Sequence, residues 1–116
     1  MSTVLDTLIT DRTADDLAND TDRAYIAYTD LNRVEEACGL LAELLHVEIR
    51  TKVWGMEDFR TDTEMSRLLS NIRKLRAAYY TKGSTPDTPV KITYSSIYQA
   101  NDIERILKDL GDMYDS

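Results

Sequence analysis

A chain of 116 residues, 42% apolar and 30% charged, is the size of one globular domain and can bury a core without metal or disulfide staples. Its net charge of −7 argues against nucleic acid, and its lone cysteine, Cys38, excludes an intramolecular disulfide. No apolar run approaches the roughly 18 residues that cross a bilayer.

The segment before residue 29 begins Met1-Ser2-Thr3-Val4-Leu5-Asp6, without the basic start and apolar stretch of a signal peptide. The expectation is a protein that is cytoplasmic at synthesis, with no membrane partner. This segment reads as an N-terminal arm, with a short helix beginning at Thr13, whose hydroxyl can cap Asp15-Asp16-Leu17.

The first clear element is a helix over about 30–46. Leu31, Val34, Cys38, Leu41 and Leu45 recur with helical spacing, and Ala37, Leu40 and Leu44 widen the apolar face. Thr29 or Asp30 can cap its start. Gly39 sits in its interior at a cost of about 1 kcal/mol relative to alanine, which a close helix–helix approach would explain. Val47, Ile49, Thr51 and Val53 then alternate, as a short extended segment would, up to Trp54-Gly55.

A second helix spans about 61–80. Thr61-Asp62-Thr63-Glu64 forms a capping box, and Met65, Leu68, Leu69, Ile72, Leu75 and Tyr79 make its apolar stripe. Arg73, Lys74 and Arg76 complement the macrodipole at its end. Gly83, Pro86 and Pro89 break the chain. A third helix over about 96–113 carries Ile97, Ala100, Ile103, Leu107 and Leu110, with Ser96 as the preferred cap and Asn101-Asp102 a second cap-like signal. The predicted fold is all-α: a compact bundle of three main helices with the N-terminal arm packed across it, a single domain over 1–116.

Bases outnumber acids only in residues 61–94, by six to three, and acidic stretches flank them. Internal pairing is therefore the expected use of these bases, not phosphate binding. Thr29-Asp30-Leu31-Asn32-Arg33-Val34 echoes Asn101-Asp102-Ile103-Glu104-Arg105-Ile106. Shared capping demands and an internal duplication are both open. The two Asp-x-x-Arg units, Asp30 with Arg33 and Asp102 with Arg105, are candidate salt bridges. They read either as local pairs of about 0.2–0.5 kcal/mol or as arginines that cross-link helices through a neighbour's carboxylates.

The groups that chemistry would need are sparse. His46 is the only histidine, so a Ser–His–Asp or Cys–His arrangement must use it. Cys38 lies two helical turns away, roughly 12 Å along the axis, on the apolar stripe, where it reads as a small buried hydrophobe. His46 reads as a residue at the helix C-terminus. Zinc needs three or four convergent ligands, and Asp11, Asp15, Asp16, Asp20 and Asp22 lack the glycine and terminal glutamate of a calcium loop. The isolated glycines build no phosphate loop. No enzyme activity, cofactor or metal is expected. Seven tyrosines against one phenylalanine suit positions with an apolar body and a polar edge. Tyr25, Tyr28, Tyr94 and Tyr98, beside helix starts, are the candidate interaction residues. Trp54 reads as a core lid over the helices, with an exposed binding anchor as the alternative, which makes it a further candidate interaction residue.

Ile9-Thr10-Asp11-Arg12-Thr13, Tyr28-Thr29-Asp30-Leu31-Asn32-Arg33-Val34-Glu35, Trp54 with Asp58 and Thr61, Pro86 and Pro89 before Thr93-Tyr94, and Ala100-Asn101-Asp102-Ile103-Glu104-Arg105-Ile106-Leu107 span nearly the whole chain. In that order they resemble a helical module of tail and baseplate-region proteins in phages and prophages of Gram-positive bacteria. This chain is shorter between Thr13 and Thr29, and Arg60 stands where the family usually has proline. The resemblance implies a virion structural or interaction role, with self-association or other tail components as partners, and it brings no catalytic residues. Such modules are commonly followed by further domains, so an excised fragment and a stand-alone relative are both open. The alternative from another class is a small regulatory or adaptor protein encoded by a phage or mobile element.

Overall fold

The computed structural model describes residues 3–13, 27–59, 61–90 and 97–115. Three helices account for most of them: α1 (Tyr28–Leu45), α2 (Asp62–Ala78) and α3 (Ile97–Asp115), preceded by a 3-10 turn at Val4–Thr7. No strand occurs among the described residues, and the all-α three-helix expectation holds. The expected helix beginning at Thr13 and the Ser96 cap fall outside the described residues.

The helix ends depart from expectation for local reasons. α1 begins at Tyr28 because Asp30 is not its N-cap. It sits one turn in, where its carboxylate accepts from the Ala27 N–H at 2.8 Å. At the other end His46 adopts left-handed backbone (φ 58°) and its N–H bonds the Ala42 carbonyl. In α2, Thr61 Oγ accepts from the Glu64 N–H as anticipated, but the Glu64 carboxylate faces Arg67 Nε at 3.4 Å, so only half of the predicted capping box forms. α2 stops at Ala78, and Tyr79 is extended.

Among the described residues, seventeen buried apolar side chains form the core, drawn from all three helices and Trp54. Leu41, Ile72, Leu75, Ile106, Leu107 and Leu110 are fully enclosed. The expected apolar stripes supply this core, except for Leu40 and Leu44, which line a surface cleft, and Ile97, whose side chain lies outside the described residues. At roughly 25 cal/mol per Å², such burial is the main stabilising term.

Contacts along the chain fix the helix directions. The first connector leaves α1 at Val47, passes Gly39 at Thr51 and reaches Asn32 at Trp54, so it runs back along α1. Three extended residues cover about 10 Å, the rise of seven helical residues. The second connector runs back likewise. Thr85 meets Asp109 and Lys82 meets Asp112 on α3, while Pro86 and Pro89 meet Arg76 and Arg73 on α2. The N-terminal arm also opposes α3, with Leu5 at Gly111, Ile9 at Glu104 and Arg12 at Asn101. All three helices therefore point the same way, and an extended segment lies in each groove between them.

Two sequence expectations are corrected here. Gly39 marks no close helix approach, because a Cβ there would meet only Thr51 Cγ2, at a comfortable 3.8 Å. The close approach is at Gly111 instead, where a Cβ would lie 2.7 Å from Leu5 Cδ1. The segment over 47–53 is the short extended run expected, but its one-sided alternation holds only in part. Val47 and Ile49 pack on the core, but Val53 is exposed and Trp54 turns inward.

Candidate interaction surfaces and the clamps that shape them

An extended segment in a groove between helices has backbone N–H and C=O groups without a partner strand, and each must be satisfied. Side chains supply the pairing. Asn32 Oδ1 accepts from the Trp54 N–H at 2.6 Å, and its Nδ2 donates to the Trp54 carbonyl at 2.9 Å. Asn101 does the same for Arg12, accepting at 3.0 Å and donating at 2.8 Å.

One turn after each asparagine comes a buried glutamate. Glu35 accepts from Trp54 Nε1 at 2.8 Å and from Arg67 Nη2 of α2 at 2.5 Å. Glu104 accepts from Arg12 Nη2 at 2.6 Å and from Arg33 Nε of α1 at 2.6 Å. The two sites share one design: Asn-x-x-Glu on a helix grips one residue of an extended segment by backbone and side chain, then takes an arginine from the next helix. Asp30 completes the second site, 2.6 Å from Arg33 and 3.5 Å from Arg12. Two cations thus face two carboxylates in a buried and neutral cluster. Burial alone would lower the Arg33 pKa, but its bonds and charges with Glu104 and Asp30 outweigh this and raise it. The hydrogen bond to Glu35 raises Arg67 likewise.

Arg33 therefore combines both readings of its Asp-x-x-Arg unit, pairing locally with Asp30 and cross-linking to α3. The companion pair is corrected. Arg105 reaches forward to Asp109 at 3.2 Å, not back to Asp102. Burial pushes the Asp102 carboxyl pKa up. Asp109 is itself enclosed, accepting from Thr85 Oγ1 at 2.6 Å, with Lys82 Nζ 3.6 Å away. Arg73 and Arg76 act on the second connector, donating to the Pro89 and Pro86 carbonyls.

Of the expected interaction residues, Trp54 is 2% exposed and is a core lid, held by Asn32 and Glu35, with Lys52 Nζ 5.0 Å from its ring centre. Tyr28 is half-buried against the core, Tyr98 is exposed, and Tyr25 and Tyr94 lie outside the described residues. Among the described residues, no ring contact joins Trp54, Tyr28 and Tyr98. The accessible apolar side chains are others: Val53, Met56 and Phe59, at 78–86% exposure on the first connector, and Tyr80, Val90 and Tyr114. All but Tyr114, in the last turn of α3, lie outside the helices, where helical periodicity does not flag them.

Cys38 is fully buried, and burial pushes its pKa up, away from the reactive thiolate. His46 is exposed at the end of the same helix. Among the described residues no three His, Cys, Asp or Glu side chains converge as metal ligands, and no helix is long and apolar enough to cross a membrane. One sizeable cleft, about 680 Å³, opens beside the last turns of α1 and α3, with Leu5, Leu8, Leu40 and Leu44 in its lining. No family model matches the chain, and neither a curated protein nor a solved structure proves similar to it.

Proposed function

We propose that the domain is a non-enzymatic structural or protein-interaction module of a phage or prophage tail or baseplate assembly. The observation that carries the non-enzymatic part is where the polar chemistry goes. Arg12, Glu35, Glu104 and Asp109 are all buried, in hydrogen bonds and ion pairs that hold extended segments in place. Groups used in this way are not free to move protons or attack a substrate. What remains accessible and apolar is contact area, with Val53, Met56 and Phe59 on a connector pinned at Trp54. A pinned loop presents such side chains at low ordering cost. The tail or baseplate setting rests on the resemblance of the quoted motifs.

The test is co-expression with the products of neighbouring genes, followed by co-purification and light scattering. A defined complex with a tail or baseplate protein is expected, weakened by Phe59→Ser and Met56→Ser. A chain that joins no such complex, yet turns over a small substrate through His46 or Cys38, would refute the reading.

A further inference from the structure

We propose that the end of the bundle where the helices terminate docks a basic, amphipathic segment of a partner protein, seated in the cleft over Leu40 and Leu44. The proposal rests on the reading of the domain as a protein-docking module and names the chemistry of one partner.

Three parallel helices place three C-termini at one end, and each carries the equivalent of about half a negative charge on its unpaired carbonyls. Helices ordinarily offset this with lysine or arginine in the last turn. The last turns of α1 and α3 contain no base. α2 has Arg76, but that side chain is engaged by the Pro86 carbonyl and Asp87. Acids stand at the same end: Asp6, Asp112 and Asp115 line the cleft against one base, Lys108. Among the described residues, Asp112 is the one of these acids with a cation in ion-pair reach, Lys82 at 3.2 Å. The rim is thus net negative, offset only in part by Lys108 and Lys82.

Apolar side chains line the cleft as well: Leu40 and Leu44, one turn apart on α1, and Leu5 and Leu8 of the arm. An occupant with apolar side chains on one face and lysines or arginines beside them satisfies both features. Phosphate-bearing and acidic ligands are repelled by the rim. A second copy of the chain is disfavoured too, since each brings a charge of −7 and the same acidic rim.

The experiment uses the whole chain and fluorescence anisotropy with a labelled helical peptide of about 18 leucines and lysines, read at about 50 and 300 mM NaCl to span the change in screening. Two control peptides carry glutamate for lysine, or serine for leucine. The Leu/Lys peptide should bind, more weakly at the higher salt, and at least about tenfold more tightly than either control, a difference of about 1.4 kcal/mol. Asp115→Lys and Leu44→Ser should each weaken it by a similar factor with circular dichroism unchanged. Asp62→Lys, at the opposite end of the bundle, should leave affinity within about twofold, as distant charges are screened.

No binding, equal binding of the glutamate peptide, or equal loss in the Asp62 and Asp115 variants would overturn the proposal. So would a dimer of the free chain abolished by Leu44→Ser, which would make a second copy the occupant. The two claims fail separately. If the tail-protein complex survives Asp115→Lys and Leu44→Ser, this site is wrong while the docking-module reading stands.

Discussion

Replacing Glu104 by glutamine keeps the shape of the buried cluster and removes one charge. Glu104 accepts four hydrogen bonds, from the Ile9 N–H, Arg12 Nη2, Arg33 Nε and Arg33 Nη2. Three come from guanidinium groups, each worth about 1.5–3 kcal/mol when charge-assisted. Their simple total overstates the loss, because Asp30 still faces Arg33 at 2.6 Å and a glutamine oxygen still accepts. The cluster would nevertheless go from neutral to one uncompensated positive charge around Arg12, which is 3% exposed. Removing one partner of a buried pair costs about 3–5 kcal/mol. Against a typical domain stability of about 5–15 kcal/mol, that is a large share. Urea unfolding followed by circular dichroism and Trp54 fluorescence measures it. The loss should persist in high salt, since a buried pair is poorly screened. The Arg12→Met/Glu104→Met double variant should recover part of it. A loss below about 1 kcal/mol, the range of an exposed pair, would refute the assignment of Glu104 as the keystone of the arm.

Gly39→Ala should stabilise the domain by about 1 kcal/mol, because the site is mid-helix and a Cβ there meets only Thr51 Cγ2, at ordinary contact distance; a lower thermal midpoint would contradict that geometry. His46→Gly should also raise the midpoint, by up to about 1 kcal/mol, as glycine adopts left-handed backbone without the Cβ clash. Asp102→Asn tests pH dependence. Burial raises the Asp102 pKa in the fold, so the protonated form is favoured there, and its contribution is full below the unfolded pKa and lost as pH rises through the folded one. The variant should therefore be more stable than wild type at pH 7, with the gap closing as pH falls below the carboxylate range in urea titrations.

The helices were legible because burial imposes a 3.6-residue period on apolar side chains, and the stripes at Leu31–Leu41, Met65–Leu75 and Ala100–Leu110 carry it cleanly. Their parallel direction was not, since it depends on where the connectors return, and those are held by polar contacts without periodicity. Arg12, Glu35, Glu104 and Asp109 look in the sequence like any solvated helix or arm residue. The useful signal was the recurrence of Asn-x-x-Glu at Asn32–Glu35 and Asn101–Glu104. The sequence echo hides it, because matching Asp30-x-x-Arg33 to Asp102-x-x-Arg105 sets Asn32 against Glu104 instead of Asn101. Trp54 stays ambiguous until Asn32 and Glu35 are seen to hold both its backbone and its indole.

Quantitative mass spectrometry of gradient-purified particles, made by the strain that encodes this chain, tests the proposed role as a tail module most directly. The expected result is several copies of the chain per particle, in fixed ratio to tail or baseplate proteins across the gradient. Finding it only in the soluble fraction, absent from particles that are otherwise complete, would contradict that role.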